Sequence, residues 1–297
     1  MSGRTGAFPL IEIKVEPKII TDWSNFVSEV TSIALVHPNV FVTVDAENHE
    51  ASVGGLSELH IDCFVKELIS RSVALKIGAP QVAYRETITR KVTKDYTHKK
   101  QTGGTGQYAR VILEMEPVQR GAGNSFEARI VNGSVPEEYI SSVEKGLNSV
   151  LSCGPLNGFP IVDLKVTLID GAYHDADSSA IAFEIATRAA IREAFETAGA
   201  VLLEPIMKVD ITLPEECIKS IIGDVHLRRG QIAGISERGE EQVIHALIPL
   251  SSMFGYAAQL NSLSTGLANF VMDYSHYQAV NPQSDPENFP PAIGMRA

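Results

Sequence analysis

Cysteine is scarce in this 297-residue sequence: Cys63, Cys153 and Cys217 lie far apart, and no C-x-x-C spacing occurs. An odd, scattered set excludes a disulfide framework and a cysteine-rich zinc site, leaving each thiol the role of a small apolar filler. Long apolar runs are also missing. None approaches the ~20 residues of a membrane-spanning helix, and the opening MSGRTGAFPL lacks the apolar core of a secretory leader. The expectation is a soluble cytoplasmic protein with no membrane partner. Positive charge is in deficit, 25 Lys and Arg against 36 Asp and Glu for a net −11, which disfavours nonspecific nucleic-acid binding by the chain as a whole. The deficit is uneven. Between Arg85 and Arg110 seven cations (Arg85, Arg90, Lys91, Lys94, Lys99, Lys100, Arg110) meet two acids, Glu86 and Asp95.

What is present is an ordinary globular composition, 44% hydrophobic and 21% charged, with enough length for two or three cores. LIEIKVE (10–16) alternates with the period of a half-buried strand, and Pro17 stops it. Asp22 stands where a helix through about Leu35 needs its cap. VFVTV and ASVGG then read as strands, a helix from Ser57 carries Ile61, Phe64, Val65 and Leu68 on one face, and VALKI closes the unit. The same β-α-β-β-α-β order returns at 206–274, from IMKVDITL to LANFVMDY, with a turn at Gly239. This repeat predicts two ferredoxin-like modules, at about 8–78 and 204–280.

The middle, 79–203, is irregular. YRETITRKVT, QYARVILEMEP, SFEARIV and IVDLKVTLID are strand-like, and a helix opens after Pro136. Residues 178–198 form the clearest helix, with Ile181, Ile185, Ala189 and Phe195 placed near one face and Gly199 at its end. The fold class is α+β: two ferredoxin-like sandwiches flanking an elongated α/β arm. The Pro-rich tail, 281–297, is expected to be disordered.

Two loops of the arm carry the chemistry. THKKQTGGTGQY (97–108) packs three glycines into four positions beside lysines. A Walker phosphate loop needs a lysine after its last glycine and a helix behind it; here YARVILEM alternates like a strand, so no nucleotide site is read anywhere in the chain. A plain hairpin turn and an RNA-contacting tip, bare for close approach and ringed by cations, both remain. DGAYHDADSS (170–179) precedes the long helix. Asp177 or Ser178 can cap that helix, and capping accounts for Ser179, whereas Tyr173, His174 and Asp175 are not needed for a cap. His174, Asp175 and Asp177 crowd too closely to reach one metal centre, and no nucleophile elbow supports a hydrolase. No catalytic residue and no metal site is read.

With both loops in view the chain resembles the C-terminal part of bacterial elongation factor G. The resemblance rests on FPLIEIKVEPK, SELHIDCFVKEL, PQVAYRETI, QTGGTGQYARV, VPEEYISSVEKG, GPLNGFPIVD, GAYHDADSS, LLEPIMKVDI and PLSSMFGYAAQLNSL, in the family's order. It implies domains III, IV and V, a fragment without the GTPase domain, with GTP and Mg as cofactors of the full-length family only. It also implies a monomeric ribosome-binding factor whose domain IV enters the decoding site and steadies the mRNA–tRNA duplex against rRNA during translocation. By this resemblance Gln101, Thr102, Gly103, Gly104, Tyr173, His174 and Asp175 are the RNA-contacting tip, supported by Lys91, Lys94, Lys99, Lys100 and Arg110, while Arg228 and Arg229 are a domain V ribosome contact. The departures are Thr105, Leu227, Asn261, Thr265 and Leu267 at cationic positions and Ser57 at a glycine. A paralogue acting in ribosome recycling is a second reading of the same class. A small-molecule enzyme using His174 would need converging polar groups that the sequence does not supply.

Overall fold

The computed structural model describes residues 9–19, 22–71, 74–100, 106–130, 133–239 and 241–280. Gln101, Thr102, Gly103 and Gly104, and the tail expected to be disordered, lie outside these described residues. The chain divides into two compact units, one made of residues up to Ala83 with Glu204–Gln278, the other of Tyr84–Leu203 with the residues from Ala279.

The first unit opens with β1 (Ile11–Pro17), α1 (Trp23–Val36), β2 (Val40–Asp45), β3 (Glu50–Gly55), α2 (Glu58–Ser70), β4 (Leu75–Ile77) and β5 (Gln81–Val82). Alternation in β1 buries Ile11, Ile13 and Val15, while Phe26, Val30 and Ile33 of α1 recur at helical spacing on the buried face. Each such side chain contributes about 1.5–3 kcal/mol on leaving water. The sheet runs β2-β3-β1-β4, with β5 also on β1, and its strand pairs are antiparallel. Asp22 occupies the cap position of α1 without a side-chain hydrogen bond.

The second unit contains β6 (Arg85–Ile88), β7 (Val92–Lys100), β8 (Gln107–Pro117), β9 (Ser125–Ala128), α3 (Glu137–Ser152), β10 (Leu164–Ala172), α4 (Ala180–Thr197) and the start of β11 (Ala200–Leu213). The stretch expected as one strand, YRETITRKVT, is two. Residues 89 and 90 turn away because their amides donate to the Ala198 carbonyl at 3.2 and 3.0 Å, so β6 pairs with β11 and β7 joins another sheet. That sheet runs β7-β8-β10-β9, antiparallel except for β9 beside β10. Ala109, Val111, Leu113 and Met115 of β8 point into its core, covered by α4, with α3 beside α4.

The expected face of α4 needs correction. Ala182, Phe183, Ala186, Ala190, Ile191, Ala194 and Phe195 are buried, whereas Ile181 is 61% exposed and Ile185 and Ala189 are only half-buried. Small residues win because the helix is approached closely: a Cβ on Gly146 of α3 would meet the Glu184 carbonyl at 2.8 Å. The cysteines also differ from the expected apolar fillers. Cys63 and Cys153 are exposed, one on the outer side of α2 and one just past the end of α3.

β11 then runs on into the first unit, beginning at Ala200 rather than Ile206. It is followed by α5 (Ile218–Leu227), β12 (Gln231–Arg238), β13 (Glu241–Pro249), α6 (Tyr256–Ser264) and β14 (Asn269–Ala279). The order β12-β13-β11-β14 repeats that of the N-terminal sheet, and Gly239 turns the hairpin at φ +69°. Both sheets carry the ferredoxin-like arrangement, and the fold is α+β. Among the described residues no helix is long and apolar enough to cross a membrane.

Candidate nucleic-acid interface

The loop between β10 and α4 is built by its own backbone. The Asp177 and Ser178 amides both donate to the His174 carbonyl, at 3.2 and 2.9 Å, and the Ser178 hydroxyl accepts from the His174 amide at 2.9 Å. Ser179 caps α4, its Oγ accepting from the Ala182 amide at 3.2 Å. Asp177 and Ser178 therefore do not cap the helix; they reach across to β8. The Tyr108 amide donates to the Asp177 carbonyl at 2.9 Å, the Gly106 amide donates to Asp177 Oδ1 at 3.2 Å, and Ser178 Oγ donates to the Tyr108 carbonyl at 2.7 Å. Nothing near Gly106 or Asp177 in the sequence signals this link, because 71 positions separate the partners.

Tight bonding within the loop leaves its crest in solvent. Tyr173 is 43% exposed and the His174 side chain 60%; Asp175 is exposed as well. The Ala176 amide donates to His174 Nδ1 at 3.3 Å, so in the neutral ring the proton sits on Nε2, available as a donor. Asp177 Oδ2 lies 3.6 Å from Nδ1. Behind the crest the Tyr139 ring stacks on Phe183 at 4.6 Å and stands 6.5 Å from Tyr173.

The cations sort themselves by partner. Lys91 bonds Glu114 at 2.8 Å, which raises its pKa, and Lys94 bonds Glu193 at 2.5 Å. Arg110 grips Asp95 with two bonds, at 2.9 and 2.5 Å, and this pairing pulls the Asp95 carboxyl below its ordinary range. Arg85 is buried and donates to the Tyr84 carbonyl at 2.9 Å. Lys99 and Lys100 differ: both are exposed, and neither makes an ion pair with a described residue. In the β7–β8 register Lys99 stands opposite Tyr108 and Lys100 opposite Gln107, beside the strand end that Asp177 and Ser178 hold. The structure thus brings Lys99, Lys100, Tyr173, His174 and Asp175 to one end of the domain, where β7 ends and β8 begins.

Arg228 and Arg229 are engaged inside their own module. Arg228 donates to Asp224 at 2.8 Å and lies 4.7 Å over the Tyr256 ring, while Arg229, at φ +61°, makes two 3.0 Å bonds to the buried Glu204. Sequence reasoning also counted Glu86 only as a charge. It is fully buried and accepts from the amides of Leu156, Asn157 and Phe159 at 2.9, 2.7 and 2.9 Å, pinning the GPLNGFP loop. Among the described residues no group of three His, Cys, Asp or Glu is placed to hold a metal ion.

Fold and loops together define a class: a multidomain α+β chain that combines two ferredoxin-like sheets with a helix-backed middle domain presenting the His174 loop and the lysine end of β7 to solvent. The family follows from comparison. Elongation factor G domain IV matches residues 80–199, and the elongation factor G C-terminus matches 201–287. The chain belongs to the elongation factor G family. It is 52% identical over 273 residues to elongation factor G of Paracoccus denitrificans and 53% over 271 to that of Rhodopseudomonas palustris, covering 92% and 91% of this chain. It spans 39% of the length of each of these curated relatives. A crystal structure from Thermus thermophilus superimposes with a TM-score of 0.70 at 32% identity, over 93% of this chain and 42% of that one.

Proposed function

We propose that this chain is the ribosome-binding C-terminal part of a translocation factor, working in the cytoplasm as a monomer. It would act through three modules, at about 8–78, 79–203 and 204–280. The middle module probes RNA with its tip, and GTP and Mg belong to the GTPase half of such a factor, not to these residues. The observation that carries this reading is the convergence at one end of the middle domain of the exposed His174 loop with Lys99 and Lys100, the two lysines of the 85–110 cationic stretch that make no ion pair with a described residue. Lysines in that setting suit phosphates, and an imidazole donor beside them suits a ribose hydroxyl or phosphate oxygen. Gln101, Thr102, Gly103 and Gly104 would complete the tip by family likeness, with Tyr173 and Asp175 flanking His174. Lys91, Lys94 and Arg110 support the tip from within ion pairs. In the C-terminal module Arg228 and Arg229 would serve the ribosome by shaping the surface after α5.

Sedimentation of the chain with small ribosomal subunits at increasing salt tests the reading. Affinity should fall steeply with salt, and Lys99→Ala with Lys100→Ala should flatten the log–log slope by about one and a half. Binding that ignores both the salt and the two lysines would contradict it.

A further inference from the structure

We propose that Asp177 is the positioning residue of this tip: its carboxylate and carbonyl fasten the start of β8 to the loop before α4, so that the two are presented to RNA as one surface. The inference rests on the RNA-probing reading above and adds what holds the probe together. Three observations carry it. Asp177 takes two backbone amides at the entry to the neighbouring strand, that of Gly106, just before β8, on its side chain at 3.2 Å and that of Tyr108 on its carbonyl at 2.9 Å. Ser178 adds a reciprocal bond, donating to the Tyr108 carbonyl at 2.7 Å while accepting from the His174 amide at 2.9 Å. The third is the glycine itself. A Cβ at position 106 would meet Asp177 Cγ and Oδ1 at 2.9 Å and Oδ2 at 3.1 Å, so the carboxylate occupies the space that any side chain at 106 would take. Gly106 is the slot and Asp177 the bolt.

A carboxylate is an odd group to find at a surface meant for phosphates, since it repels them. That cost makes sense only if the acceptor geometry matters more than the charge. Bare charge and geometry predict opposite signs for the same substitution. If Asp177 acts only as a charge, both Asp177→Ala and Asp177→Asn tighten RNA binding. If it positions, Asp177→Ala weakens binding although a repelling charge has gone, whereas Asp177→Asn, which keeps an acceptor oxygen, binds at least as well as the parent.

The test has two arms on the full 297-residue chain. Amide exchange followed by NMR reports the latch without any ribosome. Asp177→Ala should speed exchange at Gly106 by about tenfold, leave Val111 to Leu113 unchanged, and be rescued by Asp177→Asn. Small-subunit binding supplies the second arm. Asp177→Ala should lose about tenfold in affinity with an unaltered salt slope, and Gly106→Ala should lose a similar amount. The double variant should lose no more than either single one, because both changes remove one contact. Failure of the parent chain to bind the subunit sinks the underlying function, whatever the exchange arm shows. Given a parent that binds, unchanged Gly106 exchange, tighter binding by Asp177→Ala, or full additivity of the two substitutions each overturns the positioning role.

Discussion

At the scale of single residues the C-terminal module contains a polar atom that the fold leaves unmatched. The Tyr256 hydroxyl is buried without a hydrogen-bond partner among the described residues, while its ring lies under the Arg228 guanidinium. Burial, with the nearby Asp224 charge, pushes the phenol up to about 12. The unfolded phenol titrates near about 10. The group's contribution is therefore fully present below the unfolded value and is lost as pH rises through the folded one, because only the unfolded chain sheds the proton between them. Tyr256→Phe keeps the ring beneath Arg228 and removes the stranded hydroxyl. It should raise stability at neutral pH by about 1 kcal/mol and lessen the decline between about pH 10 and 12, as read from urea midpoints of variant and parent across that range. An equal alkaline decline in both proteins would show that the phenol is not the titrating group. The same scale shows what sequence reading cannot reach. A tally of seven cations and two acids around the glycine loop is correct as arithmetic. Yet Lys91, Lys94 and Arg110 find acids on neighbouring elements or across the hairpin, whereas Lys99 and Lys100, opposite Tyr108 and Gln107, find none among the described residues.

Elements are legible where polarity contrasts and illegible where it fades. β1 reads correctly because Ile11, Ile13 and Val15 alternate with charged neighbours, and Phe26, Val30 and Ile33 mark α1 by the same contrast. α4 defeats this logic. Its alanines score as neither inside nor outside, so the larger Ile181 and Ile185 draw the reading to the wrong face. Close approach decides instead. Gly146 lets α3 come against α4, where a Cβ would meet the Glu184 carbonyl at 2.8 Å and Thr187 Cβ at 3.0 Å. Gly146→Ala should therefore destabilise the middle domain by about 1–3 kcal/mol through overpacking, despite alanine's better helix propensity. A thermal melt should record the loss; an unchanged or raised midpoint would mean that the two helices are free to part. The caps follow a similar course. Asp177, Ser178 and Ser179 are all competent cap residues, and the sequence does not say that only Ser179 serves α4 while the other two cross to β8.

At the scale of the molecule the repeated β-α-β-β-α-β order is readable because each unit is local: strands and helices follow one another with short connections, and both sheets close in the same β2-β3-β1-β4 sense. The continuity of a single strand through the junction between modules is not readable. β11 is one strand of 14 residues from Ala200 to Leu213, pairing with β6 at its start and with β13 further on, and Pro205, which cannot donate to a ladder, stands where the partner changes. The site depends on the same long-range order, since the antiparallel pairing of β8 with β7 and β10 brings the hairpin end to the helix approach, where Asp177 and Ser178 bond to it. If this end of the middle domain serves translocation, far from any nucleotide, its loss should separate movement from hydrolysis. The most direct test is single-turnover translocation and GTP hydrolysis by a full-length factor carrying these residues, with and without His174→Ala. Loss of one hydrogen bond of ~1–3 kcal/mol predicts translocation slowed roughly 5- to 150-fold with hydrolysis nearly intact; equal loss of both activities, or translocation at the parent rate, would contradict it.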